Sequence, residues 1–204
     1  MAANTFLDWE AYGAALERRG FSRIGSGHFS AVYAHPDSDH VIKVGHGSTR
    51  YGGHGGDGWL AYIAWARQQK SPFAPKVRRV KWHKGEDGRL FYVAVMEKLE
   101  YTTAAAGDPE RFVHNFARIA LDYPYGTNYP LIDLIEEEYA VQGLWDYMES
   151  LAKHFAGLYS FDFHAENSMW RADGTFVVTD PLSFPSDDAD GVTIKEQVEA
   201  INAA

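Results

Sequence analysis

The first half of the chain is punctuated as strands and the second half as helices, and this change of period restricts the folds open to it. Phe21–Val44 alternates short apolar and β-branched runs with turn residues, as two or three hairpin-linked strands do. Pro75–Lys81 and Arg89–Lys98 have the same character around a turn at Gly85–Gly88. An amphipathic helix of about Leu7–Arg19 precedes these strands. A second helix, about Asp57–Gln69, interrupts them, with Trp59, Leu60, Ile63, Ala64 and Ala66 at helical spacing and Asp57 placed to cap its start. Between them, Gly45–Gly58 reads as a glycine-rich loop. From Pro109 the pattern is helical, at about Pro109–Asp122, Leu131–Ala140 and Gly143–Tyr159, with a connection broken by prolines at Tyr123–Pro130. A loop and hairpin at Phe161–Asp180 follow, then a helix at about Thr193–Asn202 whose opening Thr193-Ile194-Lys195-Glu196 has capping-box spacing. Strands first and helices second predict an α+β fold of two lobes, about 1–99 and about 100–204, within a single domain.

Composition limits what such a chain can bind. Lys and Arg total 19 against 28 Asp and Glu, a formal charge of −9, so a general basic field for nucleic acid is not expected. An anionic ligand must be held locally, against the overall charge. The absence of cysteine excludes disulfides, thiolate metal sites and cysteine nucleophiles. The longest apolar run, Leu90–Met96, is strand-sized and far short of the ~20 residues that cross a bilayer. With no signal-peptide pattern at the start, a soluble, cytoplasmic protein without membrane contact is expected. The histidines lack H-x-x-x-H and H-E-x-x-H spacing, so no zinc site is expected.

Two constellations carry chemistry. Gly25-Ser26-Gly27, between two expected strands, lets backbone amides approach an anion with no Cβ in the way, although the same tripeptide serves as an ordinary hairpin turn. Downstream, Val41-Ile42-Lys43-Val44 sets a lysine among three β-branched residues, either at a sheet edge facing solvent or facing a cleft. The second constellation is Asp162-Phe163-His164-Ala165-Glu166-Asn167, an acid and an amide five residues apart on a loop. Asp180-Pro181 then ends an expected strand at Thr175–Thr179. Each alone suits a turn as well as a site.

In that order and spacing the residues resemble the protein-kinase superfamily. The segments His28–Ala31, Val41–Gly45, Ser160–Asn167 and Thr179–Phe184 resemble more closely the early serine/threonine protein kinases of T-seven-type short-tailed phages. The resemblance implies a compact two-lobed fold with a β-rich N-lobe and a reduced helical C-lobe. It implies ATP and Mg2+ as nucleotide and metal, and host bacterial proteins as substrates. Gly25, Ser26, Gly27 and Ser30 would cover the phosphates, and Lys43 would pair with them. Asp162 would orient the acceptor hydroxyl and take its proton. His164 would contact the γ-phosphate, and Asn167 and Asp180 would hold the metal. Met96 would sit behind the adenine, with backbone groups of Glu97 and Leu99 reading its edge.

Departures from the pattern accompany the match. Ser160-Phe161 stand where most kinases have His-Arg, and Pro181-Leu182 follow the metal aspartate. Asp57 is the one acid between Lys43 and Glu86, so it is either the helix-borne partner of Lys43 or an N-cap. The basic host shut-off extension of the family is not expected, and little chain follows Asp180 for gripping a peptide. Two other readings therefore stand beside the protein kinase. One is a small-molecule phosphotransferase, because Asp162–Asn167 also resembles aminoglycoside and choline kinases. The other is a nucleotide-binding protein that sequesters a host partner with little turnover.

Overall fold

The computed structural model describes residues 8–47, 56–101, 143–162, 167–185 and 192–204. Helix α1 (Trp9–Glu17) is capped by the Asp8 carboxylate, which accepts from the Ala11 N–H at 2.8 Å. Strands β1 (Ser22–Ser26), β2 (Ser30–Ala34) and β3 (His40–His46) follow as a meander. Helix α2 (Gly58–Gln69) separates them from the hairpin β4 (Val77–Lys84) and β5 (Leu90–Glu97). The five strands form one antiparallel sheet in the order β1-β2-β3-β5-β4, which puts β3 at its centre. The helices expected at Pro109–Asp122 and Leu131–Ala140, most of the glycine-rich loop, and His164 lie outside the described residues.

The second half supplies α3 (Leu144–Phe155), β6 (Tyr159–Phe161), β7 (Ser168–Trp170), β8 (Phe176–Val178), β9 (Leu182–Pro185) and α4 (Ile194–Ala203). β7 and β8 are the expected hairpin, whereas the pairing of β9 with β6 was not expected. The capping box on α4 is present in both directions between Thr193 and Glu196.

Both faces of the sheet are covered, which is why Val41 and Val44 are buried on opposite faces of β3. On the outer face Leu16 of α1 packs with Ala31, Tyr33, Val44, Phe91 and Val93. On the inner face Val41, Val80, Ala94 and Met96 join α2, α3 and α4 in one core through Leu60, Ile63, Leu151, Val198 and Ile201. The sequence groups α4 with the second half, yet it packs back on the first. Asn202 donates to the Val80 carbonyl at 3.1 Å, and Arg67 of α2 donates to the Ile201 carbonyl at 2.7 Å.

A second tie joins the halves where β5 ends. Arg171 forms a two-pronged pair with Glu97, Nε to Oε2 at 2.9 Å and an Nη to Oε1 at 2.8 Å, and also donates to the Pro72 and Ala74 carbonyls. Burial pushes the Glu97 carboxyl up, but donation from Arg171 and from the Lys76 N–H outweighs it and holds the group below its ordinary value. Removing one partner of a pair this enclosed leaves an uncompensated charge. Arg171→Met should therefore cost about 3 kcal/mol, and Arg171→Met with Glu97→Gln should recover part of the loss. Urea denaturation checks this, and a single-variant loss under about 0.5 kcal/mol would contradict the burial argument.

Candidate active site

Lys43 is not an edge lysine. It sits on the central strand with its side chain on the inner face, opposite Val32 on one neighbour and Ala94 on the other, and is 5% exposed. A buried ammonium requires compensation. It receives it from Asp180, whose Oδ2 accepts from Nζ at 2.7 Å, and from the face of Trp59, whose ring centroid lies 4.5 Å from Nζ. Asp180 is half-buried and stands between β8 and β9, so the pair joins the central strand to a loop 137 residues away.

Asp57 is the N-cap of α2 rather than the ion-pair partner of Lys43. One carboxylate oxygen accepts from the Trp59 N–H at 3.1 Å, and the other accepts from the Tyr92 hydroxyl. Tyr92 reaches it by lying across Gly45, its register partner, where a Cβ would come 2.4 Å from the ring. Only glycine leaves that space. The Tyr92 ring also stacks on Trp59 at 5.4 Å. Burial pushes the Asp57 carboxyl up to about 6, and the Asp180 charge adds to the rise. The nearby Lys43 charge and the hydrogen bonds from Tyr92 and Trp59 oppose it.

The ends of the Asp162–Asn167 segment are tied to the chain around Asp180. The Asp162 N–H donates to the Pro181 carbonyl at 2.9 Å, and the Thr179 N–H donates to the Asn167 carbonyl at 2.8 Å. The Asn167 side-chain amide donates to the Asp162 carbonyl at 2.8 Å. That bond fixes which way the amide points, so the atom Asn167 can offer a cation is Oδ1. Asp162, Asn167 and Asp180 are thus brought together by backbone bonds that flank each of them, and Lys43 joins through Asp180.

At the glycine turn, the Gly27 N–H donates to the Ser30 carbonyl at 2.8 Å, closing the β1–β2 hairpin. A Cβ on Gly25 or Gly27 would meet nothing within 4 Å, and neither has a positive φ. Among the described residues nothing demands glycine there, which is the expected situation where a ligand must approach the backbone. Ser26 is exposed and Ser30 is buried at the start of β2. Met96 is buried on β5 between Val41 and Val77. The Glu97 N–H donates to the Lys76 carbonyl at 3.0 Å, and its carboxylate is held by Arg171. Leu99 is half-buried just beyond β5.

In the sequence, Trp59 shows only as an apolar residue at helical spacing, and nothing marks Tyr62, Tyr92 or Gln197. Trp59 is core, and it also faces Lys43. The Tyr62 hydroxyl donates to the Val178 carbonyl at 2.8 Å, pinning α2 to the strand that leads to Asp180. Among the described residues no three His, Asp or Glu side chains cluster as a metal cage, and no helix is long and apolar enough to cross a membrane.

A five-stranded antiparallel sheet with a buried lysine on its inner face, paired to an aspartate at the end of a later hairpin strand, defines an α+β fold of the protein-kinase kind. The chain belongs to the phage T7 protein kinase family: the family model described as bacteriophage T7 protein kinase 0.7 matches residues 2–203. No curated protein matches the chain. Among solved structures, a MAP kinase from Leishmania major is 17% identical with a TM-score of 0.42, over 84% of this chain and 49% of that one. Residues 1–466 of Rad53 in complex with AMP-PNP are 14% identical with a TM-score of 0.38, over 84% of this chain and 42% of that one. The chain thus spans about half the length of the solved chains it matches.

The raised Asp57 carboxyl makes a signed prediction. Between its ordinary value near 3.8 and about 6 the folded state holds the extra proton, so stability falls as pH rises through that window. Asp57→Asn removes the titration while keeping a capping oxygen. Relative to wild type, the variant should gain stability as pH rises from about 4 to about 6 and then level off. Urea titrations at four pH values check this, and a flat difference would contradict the buried carboxyl.

Proposed function

We propose that this protein is a serine/threonine protein kinase that transfers the γ-phosphoryl group of ATP to hydroxyls of host bacterial proteins. The observation that carries the reading is the 2.7 Å pair between Lys43, buried on the inner face of the sheet, and Asp180. A lysine in that position is a poor structural choice unless an anionic ligand exchanges with Asp180 for its ammonium. The family match supports the same reading.

In this reading the residues take the following roles. Lys43 pairs with the α- and β-phosphates. The exposed backbone of Gly25, Ser26 and Gly27, with Ser30 at its base, covers the phosphates from above. Asp162, held by Pro181, orients the acceptor hydroxyl and takes its proton as the oxygen attacks. Asp180 and Asn167 Oδ1 are hard oxygen donors and fit magnesium, which uses one or two such side chains together with phosphate oxygens. Bound there, the metal supplies neutralisation of charge on the phosphates. Met96 and the Glu97 carbonyl border the base, with Leu99. His164 contacts the γ-phosphate in this reading. Residues 1–99 hold the nucleotide, and residues 100–204 supply the transfer groups.

Incubation with γ-labelled ATP, magnesium and a bacterial lysate separates this reading from its rivals. Labelled protein bands are expected. Labelled small molecules would favour an aminoglycoside- or choline-kinase-like activity, and no label a nucleotide-binding, sequestering protein. Asp162→Ala should lower protein labelling ~10²–10⁴-fold while nucleotide binding persists, because a positioned base acts on rate and not on ground-state affinity.

Asp180→Asn tests the metal assignment. A ligand at 100 times its Kd stabilises the folded state by ~2.7 kcal/mol, or roughly 5–10 °C in Tm for a domain of this size. That shift should appear in wild type with ATP and magnesium, shrink with EDTA, and lose its magnesium-dependent part in Asp180→Asn. A full shift in the variant would contradict the assignment.

A further inference from the structure

Gln197 is a buried amide, 5% exposed, on α4, a helix that carries none of the residues assigned to phosphoryl transfer. Its side chain pairs with both backbone groups of Asp57. Oε1 accepts from the Asp57 N–H at 2.9 Å, and Nε2 donates to the Asp57 carbonyl at 3.2 Å. Nε2 also donates to the Tyr159 hydroxyl at 3.3 Å. The neighbouring glycines are fitted to this grip. A Cβ on Gly56 would lie 2.7 Å from Gln197 Nε2, and a Cβ on Gly58 would lie 2.5 Å from the Ser183 carbonyl. The start of α2 is therefore held between α4 on one side and β9 on the other.

The environment of Lys43 starts at this point. The Asp57 carboxylate caps α2 at Trp59, and the Trp59 ring carries the Lys43 ammonium. A primary amide is suited to the task, because it satisfies a donor and an acceptor at once without bringing a charge beside Asp57, Lys43 and Asp180. We propose that Gln197 is a positioning residue for phosphoryl transfer: from the C-terminal helix it sets the start of α2, and with it the ring and carboxylate that place Lys43. The proposal rests on the reading of Lys43 as the phosphate-pairing lysine. It makes α4 a component of the active site and not a remote packing element.

Initial rates of protein labelling against ATP concentration test it, with thermal melts alongside. Gln197→Met keeps the length of the side chain and removes its hydrogen bonds. Asn202→Ala removes the bond from the far end of the same helix to the Val80 carbonyl. Both should lower Tm by a few degrees. Only Gln197→Met should lower kcat, by about tenfold or more, and raise the KM for ATP, since a displacement of ~1 Å at a catalytic group costs up to ~10² in rate. Gly56→Ala pushes the flexible amide aside without deleting it, should show the same kinetic defect, and decides the matter if Gln197→Met does not fold. Wild-type kcat and KM in both Gln197→Met and Gly56→Ala would overturn the proposal, as would an equal kinetic loss in Asn202→Ala. A wild-type protein that labels nothing and is not stabilised by ATP would overturn it together with the kinase reading, whereas an active wild type with an indifferent Gln197 overturns the proposal alone.

Discussion

The fold depends on how one buried ammonium is compensated. Desolvating a lysine costs several kcal/mol, which no surrounding aliphatic packing returns. Lys43 lies in a row with Val32 and Ala94, so its compensation has to come from outside the sheet. One part is Asp180, from the loop between β8 and β9, and the other is the Trp59 ring at the start of α2. The charge thus recruits the helix and the later hairpin to the same spot. Packing alone would tolerate many placements of these elements, but a 2.7 Å ion pair tolerates few.

Helix α2 is the wall these requirements share. Tyr62 bonds the strand before Asp180, Gly58 presses on the strand after it, and Asp57 takes the Tyr92 hydroxyl from β5. Gln197 closes the arrangement from α4. The cost is a carboxyl whose titration is pushed up to about 6, and the return is a helix start at which the Asp57 and Trp59 N–H groups and the Asp57 carbonyl are engaged. The same wall explains three glycines. Gly45 and Gly58 stand where a ring and a backbone carbonyl come too close for any Cβ, and Gly56 stands where a Cβ would displace the Gln197 amide.

What was legible in the sequence was local. The strand pattern of Phe21–Val44, the Asp57 cap and the Thr193–Glu196 box depend on neighbours a few residues away, and each is found within a residue or two of its expected place. Lys43 could be marked as odd, but not assigned a face, because that depends on β3 being central and covered on both sides. Tyr92, Tyr62 and Gln197 act through partners 35, 116 and 140 residues away, and no periodicity records such pairings. β9 was missed for a similar reason. It is short, ends in Pro185, and is a strand only because β6 lies beside it.

The central claim is that the Lys43–Asp180 pair is the ligand-free form of a phosphate and metal site. A crystal structure with AMP-PNP and magnesium tests this most directly. The account predicts that Lys43 Nζ turns from Asp180 to the α- and β-phosphate oxygens, that the Asp180 carboxylate joins Asn167 Oδ1 on the metal, and that Trp59 and Asp57 stay where they are. A nucleotide bound elsewhere, with the 2.7 Å Lys43–Asp180 pair intact, would contradict it.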